Sequence, residues 1–242
     1  MEIIIMVMIL VLSCAGSFIQ RVCGFGFGIF IMTALPYLMP SYPEATALSG
    51  LLSLIQSGVV LCTIWKHLRF RNLIGIFVVF CIFSFLAIKY VGSAGDGILK
   101  ILLGIVLIAL GGYFLFFSRK VKIEPKAKWQ LVLGSLSGTM GGLFGMHGPA
   151  AVVYFLSCEK TKESYLAVCQ AYFVATNLYM SVFRGQNGFM TSDVFYGLLW
   201  ALPGIGIGVW LGKKVFDRIP QERLKRIIYC YMIVAGVVAI LR

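Results

Sequence analysis

Charge is what this chain has least of. Asp, Glu, Lys and Arg make up 12% of its 242 residues, about half the share of a soluble domain. The nine acidic residues all fall at the ends of apolar runs, none in the middle of one. A carboxylate at the bilayer centre costs about 2.5–3.5 kcal/mol on insertion scales and is kept only for function. Their placement argues against a sodium site built on carboxylates, an Asp/Glu proton relay, or a cationic substrate in want of a buried anion. Polar stretches are scarce too: the longest, 118–128, is too short for a soluble domain. Two histidines and no mid-segment acid leave little for an integral membrane enzyme to work with. G-x-x-x-x-G-K-[ST] is absent, so the chain is not by itself an ATP-driven pump. The seven cysteines form no C-x-x-C pair, and six lie in or beside apolar runs as small hydrophobes. No disulfide, metal or cofactor is assigned. No Lys or Arg precedes the run at 3–19, which reads as a retained helix rather than a signal peptide.

What is there is apolar. The chain is 60% hydrophobic with a mean hydropathy of +0.94. Its runs are of roughly the 17–25 residues that span a bilayer as a helix. Segments are expected at 3–20, 24–40, 44–65, 72–91, 97–118, 129–146, 147–158, 163–184, 193–212 and 223–241. The fold class is an all-α polytopic membrane protein of about eight to ten transmembrane segments. Segment 24–40 opens on glycines and carries Pro36. Segment 147–158, about a dozen residues, is short for a crossing; each of these two segments is either a crossing or a re-entrant hairpin.

The net charge of +12 sits in short loops, the positive-inside pattern rather than a nucleic-acid surface. It implies contact with anionic lipid headgroups. Loops 66–71, 119–128 and 213–226 are placed in the cytoplasm, as are Arg21 and the loop 159–163. Glu44, Asp96, Asp193 and both ends are placed outside, in a cytoplasmic (inner) membrane.

The chain also repeats. Gly26 matches Gly145 and Glu44 matches Glu163 at an offset of 119; Gly92 matches Gly212 at 120; Leu99-Lys100 matches Leu224-Lys225 at 125. Residues 1–120 and 129–242 thus form two membrane repeats joined by a basic cytoplasmic linker, 119–128. Each half has an odd number of segments, so the second enters the membrane from the opposite face. This is the inverted-topology repeat of many secondary transporters.

Two glycine strings interrupt helices at matching places: Gly24-Phe25-Gly26-Phe27-Gly28, and 141–149 with Gly142, Gly145, His147, Gly148 and Pro149. Irregular backbone at membrane depth is tolerated only inside protein or beside a watery cavity. Paired interruptions point to a transporter's binding site, and a half-helix starting there offers N–H groups and a positive dipole end to an anion. Pro149 suits such a start, where a missing N–H costs nothing. The other use of spaced glycines is close helix packing; it fits Gly204, Gly208 and Gly212, and in part Gly134, Gly138 and Gly142.

Arg21 lies just before the first break, either as a snorkelling cytoplasmic-end arginine or as a substrate contact. His147 lies inside the second, either as a group that changes charge in the physiological range or as a neutral hydrogen-bond donor. Arg184 ends a long helix opposite. The helices after the breaks carry Ser49, Ser53, Gln56 and Ser57 in one half and Gln170, Thr176 and Asn177 in the other. Such residues bond helix to helix or line a cavity, and their paired positions favour lining.

The G-F-G-F-G string, the later G-x-F-G-x-x-G-P, the repeated halves and the length resemble the sulfite exporter TauE/SafE family over nearly the whole chain. The resemblance implies a permease for small sulfur-containing anions such as sulfite and organosulfonates, with Gly24, Gly26, Gly28, Gly142, Gly145, Gly148 and Pro149 as motif positions. The expected function is secondary transport of such an anion by alternating access. The alternative is a channel for an anion or small neutral molecule, with the glycine breaks as filter. The expected substrate-binding set is Arg21, Gly24, Gly26, Gly28, Ser49, Ser53, Gln56, Gly142, Gly145, His147, Gly148, Pro149, Gln170 and Asn177.

Overall fold

The computed structural model describes residues 3–70, 73–116, 126–215 and 221–241. Residues 117–125, which include most of the basic linker 119–128, and the loop 216–220 lie outside the described residues. Within them the chain forms helices α1 (Ile3–Cys23), α2 (Phe27–Met32), α3 (Leu35–Leu38), α4 (Tyr42–Ile64), α5 (Leu73–Ser93), α6 (Asp96–Phe116), α7 (Ala127–Phe144), α8 (Gly148–Cys158), α9 (Lys162–Gln186), α10 (Ser192–Val215) and α11 (Gln221–Leu241). A 3-10 turn, Trp65–His67, extends α4.

Six helices, α1, α4, α5, α6, α9 and α10, are each long and apolar enough to cross a membrane. The stretch expected at 24–40 resolves into two short helices. The reason is local: Gly24 and Gly26 take left-handed φ values of 84° and 111°, and α2 already ends at Thr33, just before Pro36. On the other side of the chain Gly145, at φ 66°, terminates α7.

Helix starts follow ordinary capping chemistry where the chain turns back. The Ser41 hydroxyl accepts the Glu44 N–H at the start of α4 and donates to the Glu44 carboxylate at 3.0 Å. Thr161 accepts the Ser164 N–H at the start of α9. Each such cap is worth about 1 kcal/mol.

The surface of the molecule is broadly apolar, and polar side chains are held inside among the apolar core, unlike a soluble domain. Ile74, Val78, Ile82 and Leu86 form one exposed stripe on α5, while Ser53, Gln56, Ser57, Gln170, Thr176, Asn177 and Arg184 are buried. Only an apolar solvent makes that arrangement stable, and the chain is a multi-pass integral membrane protein.

Helix packing uses the small residues. On α10, added Cβ atoms at Gly204, Gly208 and Gly212 would collide with α1 at Leu10, Cys14 and Arg21. On α7, those at Gly134, Gly138 and Gly142 would collide with α5 at Val79, Phe80 and Ala87. Both glycine series therefore let backbones meet. Gly104 of α6 and Gly236 of α11 do the same for each other.

These contacts have a pattern. α1 packs on α10 and α7 on α5; α4 packs on α9 and α6 on α11; α4 also meets α10, and α9 meets α5. Matching α1 with α7, α4 with α9, α5 with α10 and α6 with α11 maps each of these contacts onto another or onto itself. The corresponding helices α4 and α9 run antiparallel: Ser57 faces Gln20 and Gln170 at one level, Ser53 bonds Asn177 in the middle, and Gly50 meets Arg184 at the far level. Matched by helix ends, Gly145 corresponds to Gly24 and His147 to Gly26, a register two residues away from the one read off the glycines alone.

Candidate functional site

The two breaks meet. A Cβ added to Gly28 would lie 2.8 Å from the Gly145 carbonyl oxygen, and one added to Gly148 would touch Phe25 and Phe173. Beside them is a small, partly open cavity lined by Gln20, Gly26, Gly28, Ile29, Ser53, Gly145, Met146, His147, Gly148 and Phe173. Its side walls are the middle turns of α4 and α9.

The first break is tied down by two glutamines. Gln20 donates to Ser57 Oγ at 2.9 Å and to Gln170 Oε1 at 3.0 Å, and its own oxygen accepts the Phe27 N–H at 3.2 Å. Gln170 in turn donates to the Gly24 carbonyl at 3.1 Å. The polar backbone freed by the glycines is thus satisfied by side chains from two helices, α1 and α9, as burial demands.

The second break is organised around His147. Its carbonyl accepts from Ser137 at 2.7 Å, and its ring is walled by Phe80, Tyr172 and Phe173. Nε2 lies 2.9 Å from Thr176 Oγ1, whose single proton goes to the Tyr172 carbonyl at 2.7 Å. Thr176 therefore accepts from Nε2–H, and the neutral ring carries its lone pair on Nδ1. That Nδ1 is buried without a partner.

The two helix starts at the cavity differ from those of α4 and α9. The N-cap residues of α2 and α8 are Gly26 and His147, and neither gives a side-chain cap bond. The first N–H of α2 is taken by Gln20. The start of α8 stays open on the cavity wall at Gly148, followed by Pro149.

Of the residues expected at the site, Gly26, Gly28, Ser53, Gly145, His147 and Gly148 line the cavity. Gly24 and Gln170 hold its frame. Asn177 bonds Ser53 at 3.1 Å; Ser49 lies against Gly145; Gln56 is buried beside Ser57, from which it accepts a hydrogen bond. Three are placed elsewhere. Gly142 faces Ala87 of α5, and the Arg21 stem packs on Gly212 of α10. Pro149 is buried in the first turn of α8. Gln20, Ile29, Met146 and Phe173 were not among those expected. Gln20 had a legible signal, a buried-type amide one turn before a glycine break; the apolar three had none.

The sulfite exporter TauE/SafE profile matches residues 8–239. Among curated proteins, the chain is 24% identical over 232 residues to the "Probable sulfite/organosulfonate exporter TauE" of Cupriavidus necator, covering 92% of this chain and 88% of that one. No solved structure matches it. With a match running from α1 to α11 and through both breaks, the chain belongs to the sulfite exporter TauE/SafE family of membrane transporters.

Proposed function

We propose that the protein is a secondary transporter moving a small sulfur-containing oxyanion, sulfite or an organosulfonate, across the cytoplasmic membrane by alternating access. One observation carries this reading. Two glycine breaks, one from each half, meet at a cavity of mixed polar and apolar lining between α4 and α9, and α8 starts there without a side-chain cap. A helix start with free N–H groups and a positive dipole end favours an anion. The described residues that line the cavity include no carboxylate to oppose one. The name of the curated relative supports the substrate class and makes export the direction to examine first.

In this reading the two halves are inverted repeats, and the anion sits at the interface between them. Access alternates when the frame of one break loosens while the other holds. The Gln20–Ser57–Gln170 bonds close one end of the α4–α9 seam, and Arg184 closes the other.

Counterflow in liposomes tests the proposal. Protein reconstituted into vesicles preloaded with unlabelled sulfite is expected to drive saturable uptake of labelled sulfite, inhibited by a small sulfonate more strongly than by acetate. Flux that rises linearly with concentration and shows no counterflow would point to a channel instead.

A further inference from the structure

Arg184 is the largest fully buried side chain of the described residues, at 1% exposure. It lies in the last turn of α9, where an arginine ordinarily snorkels to the interface. Here it turns inward. Nη2 donates to the Gly141 carbonyl at 2.9 Å, while Nε and Nη1 have no partner. No described carboxylate forms an ion pair with it. Gly50 of α4 makes room for it: an added Cβ there would lie 2.7 Å from Nη1 and 3.7 Å from Asn177 Oδ1. The guanidinium also interacts through charge with the His147 ring and the Tyr42 hydroxyl.

A buried cation without a counter-charge is costly, and each hydrogen bond left unmade adds to that cost. Leucine would fill the place more cheaply, so a purely structural role accounts poorly for this residue. An ionisable group inside a membrane protein marks a substrate or ion path. The position on α9 fits such a path. Asn177 and Arg184 are one and two heptads beyond Gln170, so the three share a face, and the seam they line runs past the cavity wall at Ser53 and His147. Arginine also matches oxyanions better than lysine, since its planar fork presents several donors at fixed angles.

We infer that Arg184 is the charge-bearing contact of the transported anion, receiving it one layer along the α4–α9 seam from the break cavity. The inference rests on the anion reading above and adds the residue that makes the path selective for negative charge. Gly50 is the partner position that holds the guanidinium in the seam.

The test measures sulfite counterflow and sulfite-induced thermal stabilisation for wild-type protein and for Arg184→Lys, Arg184→Gln and Gly50→Ala. Arg184→Gln is expected to raise the KM for sulfite at least tenfold and to abolish stabilisation by sulfite. Arg184→Lys, which keeps the charge, should fall between it and wild type. Gly50→Ala should raise KM with the arginine still present, so the inference stays testable if Arg184→Gln does not fold. A residue that merely caps α7 would lower the unfolding temperature and leave KM unchanged. That outcome in folded Arg184→Lys and Gly50→Ala, beside an active wild type, overturns the inference and leaves the transporter reading intact. A wild type that neither exchanges nor is stabilised by any sulfur anion removes both.

Discussion

At the residue scale the cavity is defined by where protons sit. The Thr176 hydroxyl is committed to the Tyr172 carbonyl, so neutral His147 shows a lone pair, not a donor, at Nδ1. A lone pair repels an anion; an N–H attracts one. The neutral ring, walled by Phe80, Tyr172 and Phe173, therefore offers an anion no donor at Nδ1. The variant His147→Gln, whose amide can turn an N–H the same way, is expected to lower the KM for a sulfonate several-fold. Exchange assays measure it; an unchanged KM in the folded variant would remove His147 from the binding step. The histidine was legible as a polar residue inside a glycine break. Its tautomer was not, because it depends on a threonine 29 positions away.

At the element scale the informative residues are glycines, and they divide into two kinds. Gly204, Gly208 and Gly212 let α10 lie on α1, and their spacing of four announces this in the sequence. Gly28 has no such partner in its own half. It is helical and needs no unusual φ, but its missing side chain lets α2 reach the Gly145 carbonyl. Gly28→Ala would push the two breaks apart, an overpacking that costs about 1–3 kcal/mol. It is expected to cut the exchange rate more than tenfold. Gly58→Ala, also helical but with nothing within 4 Å of its added Cβ, should stabilise α4 by up to about 1 kcal/mol and leave exchange unchanged. Rates and unfolding temperatures of the two variants, measured side by side, separate site geometry from helix propensity. Helix limits were largely legible, since hydropathy, Ser41, Thr161 and the glycine strings mark them. Gly142 was legible only as a residue of both roles, packing and site, because Gly134, Gly138 and Gly142 run directly into the break, and sequence alone does not say where one role ends and the other begins.

At the scale of the whole molecule the question is how two similar halves are oriented. Their order is legible from matched glycines and acidic helix starts. Their contacts are not, because each half packs its first helix on the other half's helix rather than on its own: α1 lies on α10 and α7 on α5. Such an exchange makes each half's break depend on the other half for support, which suits a site formed only where they meet. An inverted relation between the halves, as proposed above, makes a sharp demand on topology. The turn between α5 and α6 and the end of α10 occupy matching places in the helix order, so under that proposal they lie on opposite faces. Gly95 is exposed in that turn, and Lys66 and Lys214 are exposed at the ends of α4 and α10. The positive-inside rule puts the two lysines in the cytoplasm, and α5 separates Lys66 from Gly95. In a background freed of its seven native cysteines, Gly95→Cys is expected to react with a membrane-impermeant maleimide added outside intact cells. Lys66→Cys and Lys214→Cys should react only once the cytoplasmic face is opened. Labelling of positions 95 and 214 from the same side would mean that the halves run parallel. The meeting of the breaks would then need an origin other than a two-fold relation lying in the membrane.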